Sequence, residues 1–278
     1  MSENRSSALS GSERLAVRRR RRRRRISIAI GILAMLVSGA LVYGLWQAPV
    51  RISHVVVYGA DQSLASLATV AMQGTYFGLI PRDSTFFFPE ASIRTNLLAA
   101  YPAIAAVSIF RTGLTGLSIK VDTRVPIARW CGATPPIASS TTPIDDASCD
   151  VFDASGFVYA TSSPSTPVNP FVIYMPLATT SLGTAIGATL PHADSLSGAF
   201  DFARQLSTFG SPITMVVFRG DEVDDYFKSG TRVTYVLGDE ENAFTALASA
   251  QTNFNLADGS VDYVDLRFPG KVYLKSGK

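Results

Sequence analysis

An arginine block that runs directly into an uncharged apolar segment constrains this chain more than any other feature. The apolar segment covers residues 26–46, and as an α-helix these 21 residues span about 31 Å at about 1.5 Å per residue. This length matches the hydrocarbon core of a bilayer, so the segment predicts one transmembrane helix. The block consists of Arg18, Arg19, Arg20, Arg21, Arg22, Arg23, Arg24 and Arg25.

The arginine block also predicts the topology of the chain. Arginines next to an apolar span resist translocation, which keeps a disordered basic tail, residues 1–25, in the cytoplasm and sends the rest across the membrane. The sequence therefore predicts a single-pass type II protein of a cell membrane. Attraction to anionic lipid head groups would accompany this arrangement, and an arm that binds nucleic acid is the remaining interpretation.

A cleaved signal peptide is the alternative to a permanent anchor. Ser38 and Ala40 resemble the small residues of a cleavage site. However, the apolar run continues through Trp46, whereas the core of an ordinary signal peptide has about 7 to 15 apolar residues. The length of the run favours an uncleaved anchor, with Tyr43 and Trp46 at the far membrane interface.

The net charge of +3 conceals two parts of opposite charge. Residues 1–50 carry ten basic and two acidic side chains, whereas residues 51–278 carry 15 basic and 20 acidic ones. The part beyond the span is therefore mildly acidic and lacks the basic surface by which proteins bind nucleic acid. Nucleic acid is not an expected partner.

The two cysteines, Cys131 and Cys149, both follow the span, in a compartment that permits disulfides. A bridge between them is favoured and would close a loop rich in proline, serine and threonine. Two unpaired thiols are the alternative. No metal site or cofactor is predicted, because there is no C-x-x-C motif and the only histidines, His54 and His192, lie far apart in the sequence.

Hydrophobic patterns beyond the span predict an α+β fold in two parts. Within residues 51–125 the order is strand, helix, helix, strand, strand, which predicts a three-stranded sheet that carries two helices. Residues 126–275 contain short strands and two helices, which predicts a larger mixed domain with a mostly antiparallel sheet. Two segments rich in proline, serine and threonine, 132–148 and 161–170, are predicted loops.

Residues that could carry out catalysis do not form a recognisable pattern. The motifs G-x-S-x-G and S-x-x-K are absent, and the glycines at 74 and 78 lack the lysine of a P-loop. The acidic run Asp221, Glu222, Asp224 and Asp225 is interpreted as an exposed turn. The residues by themselves therefore single out no catalytic site.

Two β-rich segments at the end of the chain, 261–267 and 271–274, flank a Pro-Gly turn. A terminal strand often forms the edge of a sheet, where unpaired backbone groups can accept a strand from a partner. The alternative interpretation is that Lys271 and Lys275 protect this edge from pairing.

Several motifs that follow the span in order resemble the bacterial cell-division proteins FtsQ and DivIB. The run 124–130, Arg-Val-Pro-Ile-Ala-Arg-Trp, resembles the stretch that closes the POTRA domain of that family. Asp153 with Gly156 resembles a hairpin of the family, and the run 264–267, Val-Asp-Leu-Arg, resembles its terminal strand. The other similar positions are Val55, Val57, Gly59, Leu97, Pro102, Val107, Arg111, Leu117, Ile119 and Val121.

The resemblance implies a POTRA domain at 51–125, an extracytoplasmic β domain at 126–275, and a scaffold role at the division septum. Such a scaffold is not an enzyme and takes no small-molecule substrate. It links early and late division proteins and regulates septal peptidoglycan synthesis through protein contacts. The implied partners are small coiled-coil membrane proteins of the FtsB or DivIC kind and of the FtsL kind. A membrane-anchored POTRA module for protein translocation or assembly and an anchored envelope hydrolase are the alternatives.

The resemblance also implies where a partner would bind. In the family, a segment of the partner pairs with the last β-strand, which by position marks Phe268, Lys271, Val272, Tyr273 and Leu274 in this chain. Asp265 and Arg267 are expected to form a charge pair near the sheet edge. One departure from the family pattern is Thr123, which stands where a glutamate is usual.

Overall fold

A computed structural model describes residues 11–136, 149–161, 168–178 and 184–277. The chain has a mixed α+β fold in which a long N-terminal helix precedes a sheet-rich body. The chain divides into two compact units: residues 1–97 with 107–121, and residues 98–106 with 122–278. The predicted loops 132–148 and 161–170 lie largely outside the described residues.

Helix α1, Gly11–Leu45, contains both the arginine block and the apolar segment. Its part from Arg19 to Leu45 contains an 18-residue stretch with a mean hydropathy of 2.3, which is long and apolar enough to cross a membrane, and most of its apolar side chains are exposed. The prediction that residues 1–25 are a disordered tail is wrong from Gly11 onward. Arginine is a good helix former and no proline interrupts the run, so the helix of the apolar segment extends backwards through the block.

Residues 54–123, most of which belong to the first unit, contain the strand, helix, helix, strand, strand order that the sequence predicts. Strands β1, β5 and β4 form a three-stranded sheet in that order, and β1 runs parallel to β5. The short hairpin of β2 and β3 escapes sequence reasoning because two residues are too few to show a period. The elements are β1 (His54–Tyr58), α2 (Leu64–Ala71), β2 (Thr75–Tyr76), β3 (Ile80–Pro81), α3 (Glu90–Ala100), β4 (Ile104–Thr112) and β5 (Gly116–Thr123).

Clean alternation along β5 explains the burial in this unit. Leu117, Ile119 and Val121 are buried and alternate with polar residues, as expected for a strand that packs on one face. Ile93 and Leu97 present the buried stripe of α3, which begins directly after Pro89. These residues form the buried apolar rows of β5 and α3.

The second unit is built on a nine-stranded sheet in the order β14-β13-β12-β11-β10-β9-β6-β7-β8. Five of its strand pairs are antiparallel and three are parallel, which confirms the prediction of a mixed but mostly antiparallel sheet. Its elements are β6 (Ala128–Trp130), β7 (Asp150–Phe152), β8 (Val158–Thr161), β9 (Val172–Tyr174), α4 (Ala193–Leu206), β10 (Ile213–Arg219), β11 (Glu222–Phe227), β12 (Arg232–Val236), α5 (Glu240–Ala250), β13 (Val261–Asp265) and β14 (Tyr273–Ser276).

Helices α4 and α5 cover one face of this sheet and bury its main apolar core. Phe202 of α4 packs edge to face on Tyr235 of β12, with 4.4 Å between the ring centroids. Leu247 of α5 and Val264 of β13 belong to the same buried cluster. The apolar core therefore extends to β13, the strand next to β14, so that the margin of the core lies close to one edge of the sheet.

Two local features tie the beginning of this unit together. Cys131 and Cys149 form a disulfide beside the paired strands β6 and β7. The Arg124 guanidinium forms an ion pair with Asp153 and lies over the Phe157 ring, 4.2 Å from its centroid. Arg124 and Asp153 come from two of the motifs that resemble FtsQ and DivIB, so these motifs meet in space.

The interpretation of the acidic run as an exposed turn is correct for Asp221 and wrong for residues 222–225. Strand β11 begins at Glu222, and the side chains of Asp224 and Asp225 are buried. Asp224 pairs with Arg219 at 2.7 Å and accepts a hydrogen bond from the Thr234 hydroxyl, while Asp225 lies on the core face. Consecutive acids hide the strand period, because sequence patterns assign carboxylates to solvent.

Candidate interaction site

Strand β14 forms one edge of the nine-stranded sheet. It pairs with β13 on one side only, and all four of its residues are exposed. The opposite edge, β8, is partly covered, because Val158 exchanges backbone hydrogen bonds with Gly187 and Ala188 at 2.8 and 2.9 Å. Within the described residues, β14 is thus the more open edge, and open edges accept further strands.

The backbone of β14 directs alternate N–H groups towards β13 and towards solvent. The Gly277 N–H donates to the Ser260 carbonyl at 2.9 Å, so the amides of Lys275 and Tyr273 also point inward. The backbone groups of Leu274 and Ser276 consequently point away from the sheet. They are the groups to which an added strand would form its hydrogen bonds.

The Leu274 side chain lies at an unfinished margin of the core. Leu274 stands opposite Val264, a fully buried core residue, and therefore shares its face of the sheet. Val272, two residues before Leu274, is partly buried and packs against the core cluster. Leu274 itself remains 44% exposed. An apolar side chain from an added strand would complete the packing here.

An open cleft of about 580 Å³ lies beside this margin, between α5 and the turn that precedes β14. The α5 residues that line it are small or polar and recur every three or four positions, which marks one helix face. A partner that continues beyond the strand could occupy this cleft. Its lining comprises Asn242, Thr245, Ala246, Ser249, Ala250, Asn253, Pro269, Gly270 and Val272.

Charged and aromatic contacts hold the terminal hairpin in place. Arg267 bonds to Asp265 at 2.6 Å and to Glu222 at 2.7 Å, and this contact with Arg267 lowers the pKa of Asp265. The expected charge pair is therefore present, and it links β13 to β11. Phe268 packs edge to face on Tyr273, with 5.4 Å between the centroids.

The structure brings the five implied partner-binding residues together at one end of the sheet. Phe268, Lys271, Tyr273 and Leu274 are exposed, whereas Val272 is partly buried in the core margin. Sequence reasoning missed the α5 cleft, although the stripe of small and polar residues on α5 is a signal that could have found it. The arginine block lies elsewhere, exposed on α1 from Arg19 onward.

The edge at β14 presents outward backbone groups and the exposed Leu274 side chain, to which an extended chain could bind. Across the described part of the molecule, no group of three or more His, Cys, Asp or Glu residues could hold a metal ion.

A scan against protein-family models matches no family, and a search of the curated proteins finds no match. Fold and geometry together define a protein with one apolar N-terminal helix and a mixed sheet whose last strand is open.

Proposed function

We propose that this chain is a membrane-anchored cell-division scaffold of the FtsQ and DivIB kind. In this proposal residues 51–125 form its POTRA domain and residues 126–275 its β domain. The observation that carries the proposal is the open strand β14, with outward backbone groups and a half-exposed Leu274 beside a core margin. The motif resemblance assigns partner binding to the same strand.

The binding mechanism is the addition of a partner strand to β14. Backbone hydrogen bonds to Leu274 and Ser276 would supply register, and pockets for alternate side chains would supply specificity. Full burial of a leucine side chain contributes about 1.5–3 kcal/mol, so burial of the 44% of Leu274 that is still exposed would contribute about 0.7–1.3 kcal/mol to the affinity. The cleft along α5 gives room for the segment of the partner that leads into or out of the strand.

Membrane anchoring makes such a contact effective. The arginine block keeps the N-terminus in the cytoplasm, so that the body lies on the other side of the membrane. In this proposal the protein acts at the division septum. A partner with its own single span is confined to the same membrane, which raises its effective concentration near β14. Small coiled-coil proteins of the FtsB or DivIC kind and of the FtsL kind meet this requirement. Through them the scaffold regulates septal peptidoglycan synthesis without catalysis of its own.

Affinity capture tests this proposal. The full chain, tagged at its N-terminus, is extracted in mild detergent from membranes of its own bacterium, and the bound proteins are identified by mass spectrometry. We expect short single-span proteins whose sequences show heptad repeats, in near-stoichiometric amounts. A catch without any single-span coiled-coil protein would contradict the proposed class of partner.

A further inference from the structure

The turn between β2 and β3 exposes an aromatic ring in an unfavourable backbone conformation. Phe77 has a φ of 51° and Gly78 a φ of 72°, and the Leu79 N–H closes the turn on the Tyr76 carbonyl at 3.0 Å. Positive φ favours Gly or Asn and is uncommon for a bulky residue. The Phe77 side chain is nevertheless 97% exposed, so its contacts with the other described residues offset little of this strain.

This hairpin is attached to the end of α1. The Trp46 indole N–H donates to the Leu79 carbonyl at 2.8 Å. Immediately beyond the hairpin, Asp83 pairs with Arg51 at 2.5 Å, and its carbonyl accepts the Ile52 N–H at 2.8 Å. The turn is therefore held beside the residues at which the chain leaves the apolar helix.

Five exposed apolar side chains lie in these connected segments, and we call them the apolar collar. Phe86 and Phe87 join it because the neighbouring Thr85 N–H donates to the Val50 carbonyl at 3.0 Å. Each of the five is between 43% and 97% exposed, which is unusual for large apolar residues that lie close together. The collar consists of Trp46, Phe77, Leu79, Phe86 and Phe87.

The depth of the collar follows from the length of the span. If residues 26–46 fill the hydrocarbon core, Trp46 lies at the membrane interface, where tryptophan is enriched. Because its indole bonds to Leu79, the turn lies at the same depth, and Phe77 is two residues away. Wherever α1 spans a membrane, lipid surrounds Trp46 at the interface. The same lipid is therefore the molecule that would cover the rest of the collar.

We infer that the collar is a second membrane contact, in which Phe77 and Leu79 insert into the lipid interface beside α1. The inference rests on the part of the proposed function that makes α1 a membrane span. It goes beyond that function, because it assigns a lipid-binding surface to the first unit. Two contacts with the bilayer restrict rotation about the link at Gln47. They would therefore fix the orientation of residues 51–97 relative to the membrane surface.

Spin-label accessibility in vesicles tests the inference with the full chain. A single cysteine is introduced by Phe77→Cys or Leu79→Cys and labelled with a nitroxide, while the native cysteines stay blocked in their disulfide. Tyr43→Cys in α1 serves as the membrane reference, and Val70→Cys, an exposed apolar residue of α2, serves as the aqueous comparison. The vesicles contain phosphatidylethanolamine and phosphatidylglycerol, and collisions with oxygen and with a water-soluble nickel chelate are compared.

We expect the ratio of oxygen to nickel collisions at positions 77 and 79 to exceed that at position 70 and to approach that at position 43, because an inserted apolar group lies in lipid. Aqueous values at 77 and 79, with a membrane value at 43, would overturn the collar contact and leave the anchor intact. Aqueous values at all four positions would overturn the membrane span and the collar together. Two labelled positions ensure that one misfolded variant does not decide the result.

Discussion

Leu274→Asp is expected to reduce capture of the proposed partner by about a hundredfold, which corresponds to about 3 kcal/mol at an interface hot spot. The reason lies in the different surroundings of position 274 in the free and bound states. In the free protein this side chain is 44% exposed, so a carboxylate can face water with little effect on folding. An added strand would bury that charge without a partner, which is strongly unfavourable.

A matched control for this variant exists in the same chain. Leu114 lies in the turn between β4 and β5 and is 55% exposed, so Leu114→Asp makes the same change on a surface with similar access to solvent. We expect Leu114→Asp to retain full capture, and both variants to unfold at the same temperature as the parent chain. Equal capture by the two leucine variants would contradict strand addition at β14.

Asp225→Asn is expected to stabilise the protein at neutral pH by about 1–3 kcal/mol, because an amide cannot ionise and so avoids the cost of a buried charge. Asp225 is fully buried, and within the described residues neither of its carboxylate oxygens has a hydrogen-bond partner. Burial raises its pKa well above the usual range, and the carboxylates of Asp224 and Glu240 raise it further. The nearby Tyr235 hydroxyl is also buried without a partner, and burial raises its pKa.

The sign of the pH dependence follows from this raised pKa. The folded state binds the proton of Asp225 more tightly than the unfolded state does. Its contribution to stability is therefore fully present below the unfolded pKa of about 3.9 and is lost as pH rises through the folded pKa. The stabilisation by Asp225→Asn should consequently be large at pH 7 and small near pH 4. Urea unfolding of the full chain in detergent, at both pH values, measures it.

The neighbouring aspartate provides the control, because it is buried with partners. Asp224 pairs with Arg219 and accepts the Thr234 hydroxyl, so Asp224→Asn should destabilise the protein at pH 7. Removal of one charge from a buried ion pair leaves the other charge without its partner, which is unfavourable. A loss of stability in Asp225→Asn as large as that in Asp224→Asn would show that the charge of Asp225 is needed in the fold.

Local signals explain which elements could be read from the sequence. The alternation of β5 and the proline before α3 are strong short-range patterns, and they predicted those elements. The acids of β11 defeated the same reasoning, because Asp225 is buried against its chemical preference. Strand β6 has three residues and lies between β7 and β9, so its pairing depends on distant segments that no local period reveals.

The candidate site shows the same division. The terminal hairpin and the charge pair of Asp265 with Arg267 were accessible from sequence, because they lie within one short segment. The α5 cleft and the exposed margin at Leu274 were not, because they depend on which strand stands next to β14 and which helix covers it. Sequence located the segment, and only the assembled sheet distinguished Leu274 from the more buried Val272.

The position of the protein in dividing cells tests the central claim most directly. A fluorescent protein fused to the N-terminus of the full chain, expressed at native level in the source organism, reports where the protein acts. We predict that the signal concentrates at the septum as the envelope begins to constrict. A signal spread evenly around the periphery of constricting cells would contradict a role in division.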